Sequence, residues 1–206
     1  MLCAFLTIFL TAPAATKAAG AAFAENLLSE TSPPAIVTLD GLLGAGKTTF
    51  AQGFGEGLGL KPGEVASPTF TLADLHRGGK VAFNHLDLYR LGEAGDAAAA
   101  LRDFLEAGLD ECLDEGFSLI EWPERLPEHF WPEERYRLRI RHMTEIPSLW
   151  PGSGPDGSRA AAGSQSDGPA RAGRRTGRIL EISGPFSADA LFARLKSKGL
   201  KPEPPA

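Results

Sequence analysis

The stretch Gly41-Leu42-Leu43-Gly44-Ala45-Gly46-Lys47-Thr48 most restricts what this chain can fold into. It fits G-x-x-x-x-G-K-[ST] throughout, and a short β-branched apolar run, Ala35-Ile36-Val37-Thr38-Leu39, leads directly into it. That run reads as a buried strand. Residues 48–58 then read as a helix, closed by Gly59 and Pro62. Strand, glycine loop and helix in that order make a phosphate-binding unit. Glycines let the backbone curl until successive N–H groups point at one anion. The helix turns its positive end to the same place. Lys47 adds charge for the outer phosphates, and the Thr48 hydroxyl is the expected ligand of Mg²⁺.

The rest of the chain supplies the other layers. Residues 69–75 and 81–86 read as two strands joined by a turn at Arg77-Gly78-Gly79. Residues 96–115 are rich in Ala, Leu and Glu and read as two helices broken at Gly108. A buried strand at 117–120 ends at Glu121, and 136–142 alternates in strand fashion. Residues 147–177 are mostly Gly, Ser, Ala, Pro and Arg, a composition that reads as a flexible insertion. A last strand is expected at 178–182 and a helix from a Ser187 cap to 198, with 199–206 as a disordered tail. Strands alternating with helices around such a loop predict an α/β sandwich with a mixed, mainly parallel sheet.

Two acids stand where strands end: Asp87 after 81–86, and Glu121. Ligands of a parallel sheet gather at the carboxyl ends of strands. Either acid could hold Mg²⁺ or orient an attacking water. His85 alternates with Asp87 and by itself reads as a structural hydrogen-bonder.

Composition removes several alternatives. The net charge of −5 does not suit a nucleic-acid clamp, which is usually basic. Cys3 and Cys112 make neither a disulfide framework nor a zinc site. Residues 1–34 begin with an apolar run and small residues that look like a secretory signal, but no Lys or Arg precedes the run and it is too short to span a bilayer. They read as a signal-like or disordered extension, or as a start placed too far upstream, ahead of a core at 35–146.

Four segments resemble one family. LLGAGKTTF (42–50), SPTFTL (67–72), HLDLYRL (85–91) and LIEWPER (119–125) stand in the order and spacing of TsaE, the bacterial ATPase of tRNA threonylcarbamoyladenosine biosynthesis. The resemblance implies a cytoplasmic ATPase with a P-loop fold, using ATP and Mg²⁺. It implies slow hydrolysis alone and work with a TsaD–TsaB pair, through which tRNA is reached, with no membrane and no strong direct nucleic-acid binding. By position, Gly44, Ala45, Gly46, Lys47, Thr48 and Thr49 would cradle phosphates, and Thr48 and Glu121 would ligate Mg²⁺. Asp87, Glu121 and Lys47 would carry catalysis, with Trp122 beside the site. SPTFTL would be a switch, in which Ser67, Thr69 and Thr71 contact the terminal phosphate or Mg²⁺ without fixed charge, around Pro68.

Some positions depart from the family pattern. The helix that usually precedes the first strand and offers a base-holding Thr or Ser is replaced by Ala- and Pro-rich sequence, with only Ser29, Thr31 and Ser32 near. Leu42 stands where an acid is usual, and Leu75-His76 where a tyrosine is common. Arg178 is the candidate for a late arginine. The main rival is a P-loop kinase of a small metabolite or nucleoside, which needs an acceptor pocket and usually an arginine-bearing lid. A GTPase would show an NKxD motif and an ABC ATPase an LSGGQ signature, and this sequence has neither. A non-enzymatic assembly factor gated by nucleotide binding alone is the third reading.

Overall fold

The computed structural model of the chain describes residues 4–92, 96–143 and 177–203. Seven strands form one sheet: β1 (Ala4–Leu10), β2 (Ala35–Asp40), β3 (Ala73–His76), β4 (Phe83–Asp87), β5 (Phe117–Glu121), β6 (Tyr136–Met143) and β7 (Gly177–Gly184). Their order is β1-β7-β6-β2-β5-β4-β3. The centre is parallel, with β2 between β5 and β6 and β4 beside β5. Antiparallel pairs flank it: β3 on β4, β7 on β6, and β1 on β7. The expected mixed, mainly parallel sandwich is therefore present at the centre, with antiparallel margins.

Helices α1 (Pro13–Glu30), α2 (Lys47–Gly57) and α4 (Ala188–Ser197) cover one face, and α3 (Ala97–Glu106) covers part of the other. Period-two alternation decides which side chain goes where. In β4, Phe83, His85 and Asp87 share the α1/α2 face, while Leu86 packs with Phe104 and Ile120 on the α3 face. The caps follow the expected chemistry: Ser187 accepts from the Ala190 N–H and Asp96 from those of Ala98 and Ala99.

Two expected termini are corrected. The described part of 1–34 is not a disordered extension. Ala4–Leu10 pairs with β7 along its whole length, burying Leu6, Ile8 and Leu10. Pro13–Glu30 is an eighteen-residue helix with Pro at its start, where the lost N–H costs nothing. Its Phe23 is fully buried against Phe50, Phe54 and Tyr136. Glycine allows the close seam between α1 and α2. A Cβ added at Gly53 would lie 1.9 Å from the Lys17 carbonyl oxygen, and one at Gly20 would lie 2.2 Å from that of Phe50. The tail is also placed as far as Glu203: Leu200 enters the core, Pro202 bridges to Ile8, and the Glu203 N–H donates to the Thr7 carbonyl at 2.9 Å.

One strand is shorter than its sequence implied. Residues 69–72 turn rather than extend, and only Ala73–His76 pairs with β4. The N–H groups of Thr71 and Leu72 both donate to the Pro68 carbonyl, and Leu72 takes a left-handed φ of 65°. Residues 96–115 divide as expected near Gly108, into α3 and a short 3₁₀ turn at Glu111–Asp114. The flexible stretch expected at 147–177 lies outside the described residues, apart from Gly177, which begins β7. Among the described residues no helix is long and apolar enough to cross a membrane.

Candidate functional site

The site grows from the carboxyl ends of three parallel neighbours. β2 runs into the glycine loop, β4 ends at Asp87 and β5 at Glu121, which are register partners. The loop opens α2 at Lys47. Gly46 caps that helix with φ +107°, and Gly44 has φ +76° with nothing within 4 Å of the side chain it lacks. Both conformations suit glycine, and they leave the loop backbone open to an anion.

A cleft of about 350 Å³ lies over this end of the sheet. Gly44, Gly46, Lys47, Thr48 and Thr49 line it, facing Ser67, Thr69, Asp87, Glu121 and Trp122. Gly41 and Ala45 are not among the lining residues. The Gly41 carbonyl accepts from the Lys47 ammonium at 2.6 Å, and Ala45 is fully buried in the core. Lys47 also donates to the Leu42 carbonyl at 3.2 Å, and its Nζ stands 3.6 Å from the centre of the Trp122 ring. Burial pushes the Lys47 amine below its usual 10.5, and Glu121 among other acids pulls the other way. Trp122 is held left-handed at φ 61°, which is costly for a residue with a bulky side chain. That backbone sets its ring against Lys47 and, at 4.9 Å between centroids, against Tyr89.

The two acids have different surroundings. The Thr48 hydroxyl donates to Glu121 Oε2 at 3.4 Å, while Oε1 accepts from His85 Nε2 at 2.9 Å. Asp87 faces the SPTFTL segment: its Oδ2 accepts from Thr69 at 2.5 Å and from Ser67 at 3.2 Å, and its Oδ1 from the Tyr89 N–H at 3.1 Å. Thr71 is not with them. Its hydroxyl turns back to the Pro68 carbonyl at 3.4 Å, and Pro68 itself is buried outside the cleft lining.

The model of the family described as "Threonylcarbamoyl adenosine biosynthesis protein TsaE" matches residues 10–147. The chain belongs to the TsaE family. Its matched region includes α1, in keeping with the placement of that helix in the core. The TsaE of Treponema pallidum is 38% identical over 121 residues, covering 58% of this chain and 80% of that protein. That of Bacillus subtilis is 38% identical over 121 residues, covering 58% and 70%. That of Synechocystis is 44% identical over 93 residues, covering 45% of this chain and 57% of that protein. The crystal structure of Bacillus subtilis YdiB superposes with a TM-score of 0.58 at 26% identity, across 97% of this chain and 99% of that one.

The residues of this TsaE-family chain fit a nucleotide and a magnesium ion. Thr48 and Glu121 offer hard oxygen donors at the foot of the glycine loop. Among the described residues no three His, Cys, Asp or Glu converge as a metal cluster. Mg²⁺ takes one or two protein oxygens and fills its other positions with phosphate and water, a demand that the Thr48 hydroxyl and the Glu121 carboxylate can meet. Two buried polar atoms on the cleft lining, Thr16 Oγ1 and Arg178 Nε, have no protein partner, as expected of groups that face a ligand. Arg178, singled out from sequence, stands beside Gly44, 3.4 Å from its carbonyl. Thr16 was not singled out, because its helix was not foreseen. Thr31, one of the hydroxyls the sequence offered near the first strand, bonds Tyr136 at the other end of α1. Tyr89 and Leu43 also line the cleft; both stand inside the motifs, at 85–91 and 42–50, although neither was singled out as a site residue.

Proposed function

We propose that this chain is the ATP-binding and hydrolysing component of tRNA N6-threonylcarbamoyladenosine biosynthesis, and that it supports a TsaD–TsaB threonylcarbamoyl transferase. Family membership supports the pathway. One observation supports the chemistry: Thr48 and Glu121 converge beside Lys47 at the start of α2, with Asp87 alongside.

The glycine loop and the α2 N-terminus bind the phosphates of ATP through backbone N–H groups. Lys47, held over the loop by two carbonyls and the Trp122 ring, neutralises charge that develops on the outer phosphates. Thr48 Oγ1 and Glu121 Oε2 are the oxygens that would hold Mg²⁺, which when bound would supply positive charge to the phosphates. Asp87 orients the attacking water and also holds the switch. The hydroxyls of Ser67 and Thr69 each have one hydrogen. They can donate it to Asp87 or to a terminal phosphate, but not to both at once. Nucleotide state thereby sets the conformation of 67–72, where Phe70 is 83% exposed and available to a partner.

The test is Mg²⁺-dependent phosphate release by the chain alone and with the TsaD–TsaB pair. Slow release that the partners accelerate, loss of ATP binding in Lys47→Ala, and binding without cleavage in Glu121→Gln are expected. Phosphorylation of an added nucleoside or metabolite would overturn this reading for the kinase. Full support of the modification by Glu121→Gln would reduce the role of ATP to binding alone.

A further inference from the structure

His85 is fully buried, yet the mechanism above gives it nothing to do. Its ring lies one pleat behind Asp87 on the same face of β4. Phe83 stacks on it with centroids 6.0 Å apart and 10° between planes, and His76 stacks on Phe83 in turn at 5.5 Å and 18°. The ring therefore has little freedom to turn. Its Nε2 meets Glu121 Oε1 at 2.9 Å, and its Nδ1 has no partner. A carboxylate only accepts, so Nε2 is the donor of this contact.

Glu121 ends β5, and its backbone is fixed there: its carbonyl accepts the Leu88 N–H at 3.1 Å. Its side chain still has several torsions to settle. With Oε1 tied to His85, Oε2 faces the Thr48 hydroxyl at 3.4 Å. Release of Oε1 would let the carboxylate rotate away from Thr48 or toward Lys47.

We propose that His85 is a positioning residue for the metal, a fixed donor that holds Glu121 with one oxygen presented to the Thr48 side of the cleft. This rests on the nucleotide and Mg²⁺ reading above. His85 touches neither metal nor nucleotide on this account, so its loss acts on metal binding through Glu121 and leaves metal-free nucleotide binding alone. Groups that orient a metal ligand from behind typically matter by about 10- to 100-fold in metal affinity.

The experiment uses the full chain with a non-hydrolysable ATP analogue and Mn²⁺ as probe. Free Mn²⁺ is read by electron paramagnetic resonance, and analogue affinity is measured separately without metal. His85→Leu is expected to weaken Mn²⁺ binding about tenfold or more, with metal-free analogue affinity unchanged. His85→Gln, whose amide can reach Glu121, should recover most of that loss, whereas the shorter His85→Asn should not. Should the leucine variant fail to fold, the Gln and Asn pair carries the test. Equal Mn²⁺ affinity in Gln and Asn, or parallel loss of metal-free analogue binding, would make His85 a packing residue and overturn the proposal. A natural protein that binds no analogue would overturn the nucleotide reading itself, a separate result visible before any variant is made.

Discussion

Gly53→Ala separates packing from propensity, because the two predict opposite signs. In an isolated helix, alanine for glycine stabilises by roughly 1 kcal/mol. Here the new methyl would stand 1.9 Å from the Lys17 carbonyl oxygen, against an ordinary contact of 3.4 Å, so the two helices must part by about 1.5 Å. The obstacle is backbone and cannot swing aside. Parting α1 from α2 also loosens the rings of Phe23, Phe50 and Phe54, which are fully buried. Overpacking of this kind costs roughly 1–3 kcal/mol, and more where backbone must shift. Because the obstacle is backbone the upper end of that range, about 3 kcal/mol, applies, and with the propensity gain of roughly 1 kcal/mol deducted a net loss of about 2 kcal/mol is expected. For a chain of this size that is a fall of roughly 4–8 °C in Tm. Thermal melts of nucleotide-free protein, with urea titrations to check that the slope is unchanged, measure it. A Tm equal to or above that of the natural chain would refute the close seam.

Other expectations follow from the same geometry. Deleting residues 1–30 removes β1 and α1, bares the β7 edge and uncovers Phe50 and Phe54. The remainder should be insoluble or lack a cooperative melt, and an unchanged melt would restore the reading of 1–34 as an extension. The Lys47 amine is pushed below 10.5 by burial, so its charged form is penalised in the fold at neutral pH. That penalty fades as pH rises from the lowered value toward 10.5. Lys47→Met should accordingly raise the nucleotide-free Tm at neutral pH by a margin that narrows with rising pH, and a constant margin would contradict the burial argument. Because Lys47 stands on the Trp122 ring, nucleotide should change the intrinsic fluorescence. Trp122→Phe should abolish most of that change and Trp131→Phe should preserve it. The reverse pattern would place the reporter elsewhere.

Sequence legibility was good where local signals agreed with the tertiary structure. The strand expected at 35–39 is Ala35–Asp40, the one at 117–120 is Phe117–Glu121, and Ser187 does cap the last helix. Each is a short apolar run or capped segment bounded by glycine or proline. The N-terminal half-layer was not legible. Ala-rich α1 has high helix propensity but little contrast between faces, because its Ala and Gly positions pack as closely as its Phe and Leu ones. The apolar β1 run resembles the apolar part of a signal peptide in composition, and its pairing with β7 is a long-range contact that no local signal announces. Thr69 and Thr71 favour strand by propensity, yet the bond from Thr69 to Asp87 and the turn at Pro68 outweigh it. In the site, Lys47, Thr48, Ser67, Thr69, Asp87 and Glu121 converge while Thr71 turns away, and Thr16 and His85 needed the fold to bring α1 to the glycine loop and β4 to Glu121.

The most direct test of the central claim is nucleoside mass spectrometry of tRNA from bacteria depleted of their own TsaE and supplied with this chain, with Lys47→Ala as the control. The account predicts that threonylcarbamoyladenosine returns with the natural chain and stays absent with the variant. Its absence with a soluble, ATP-binding natural chain, or its return with Lys47→Ala, would contradict the account.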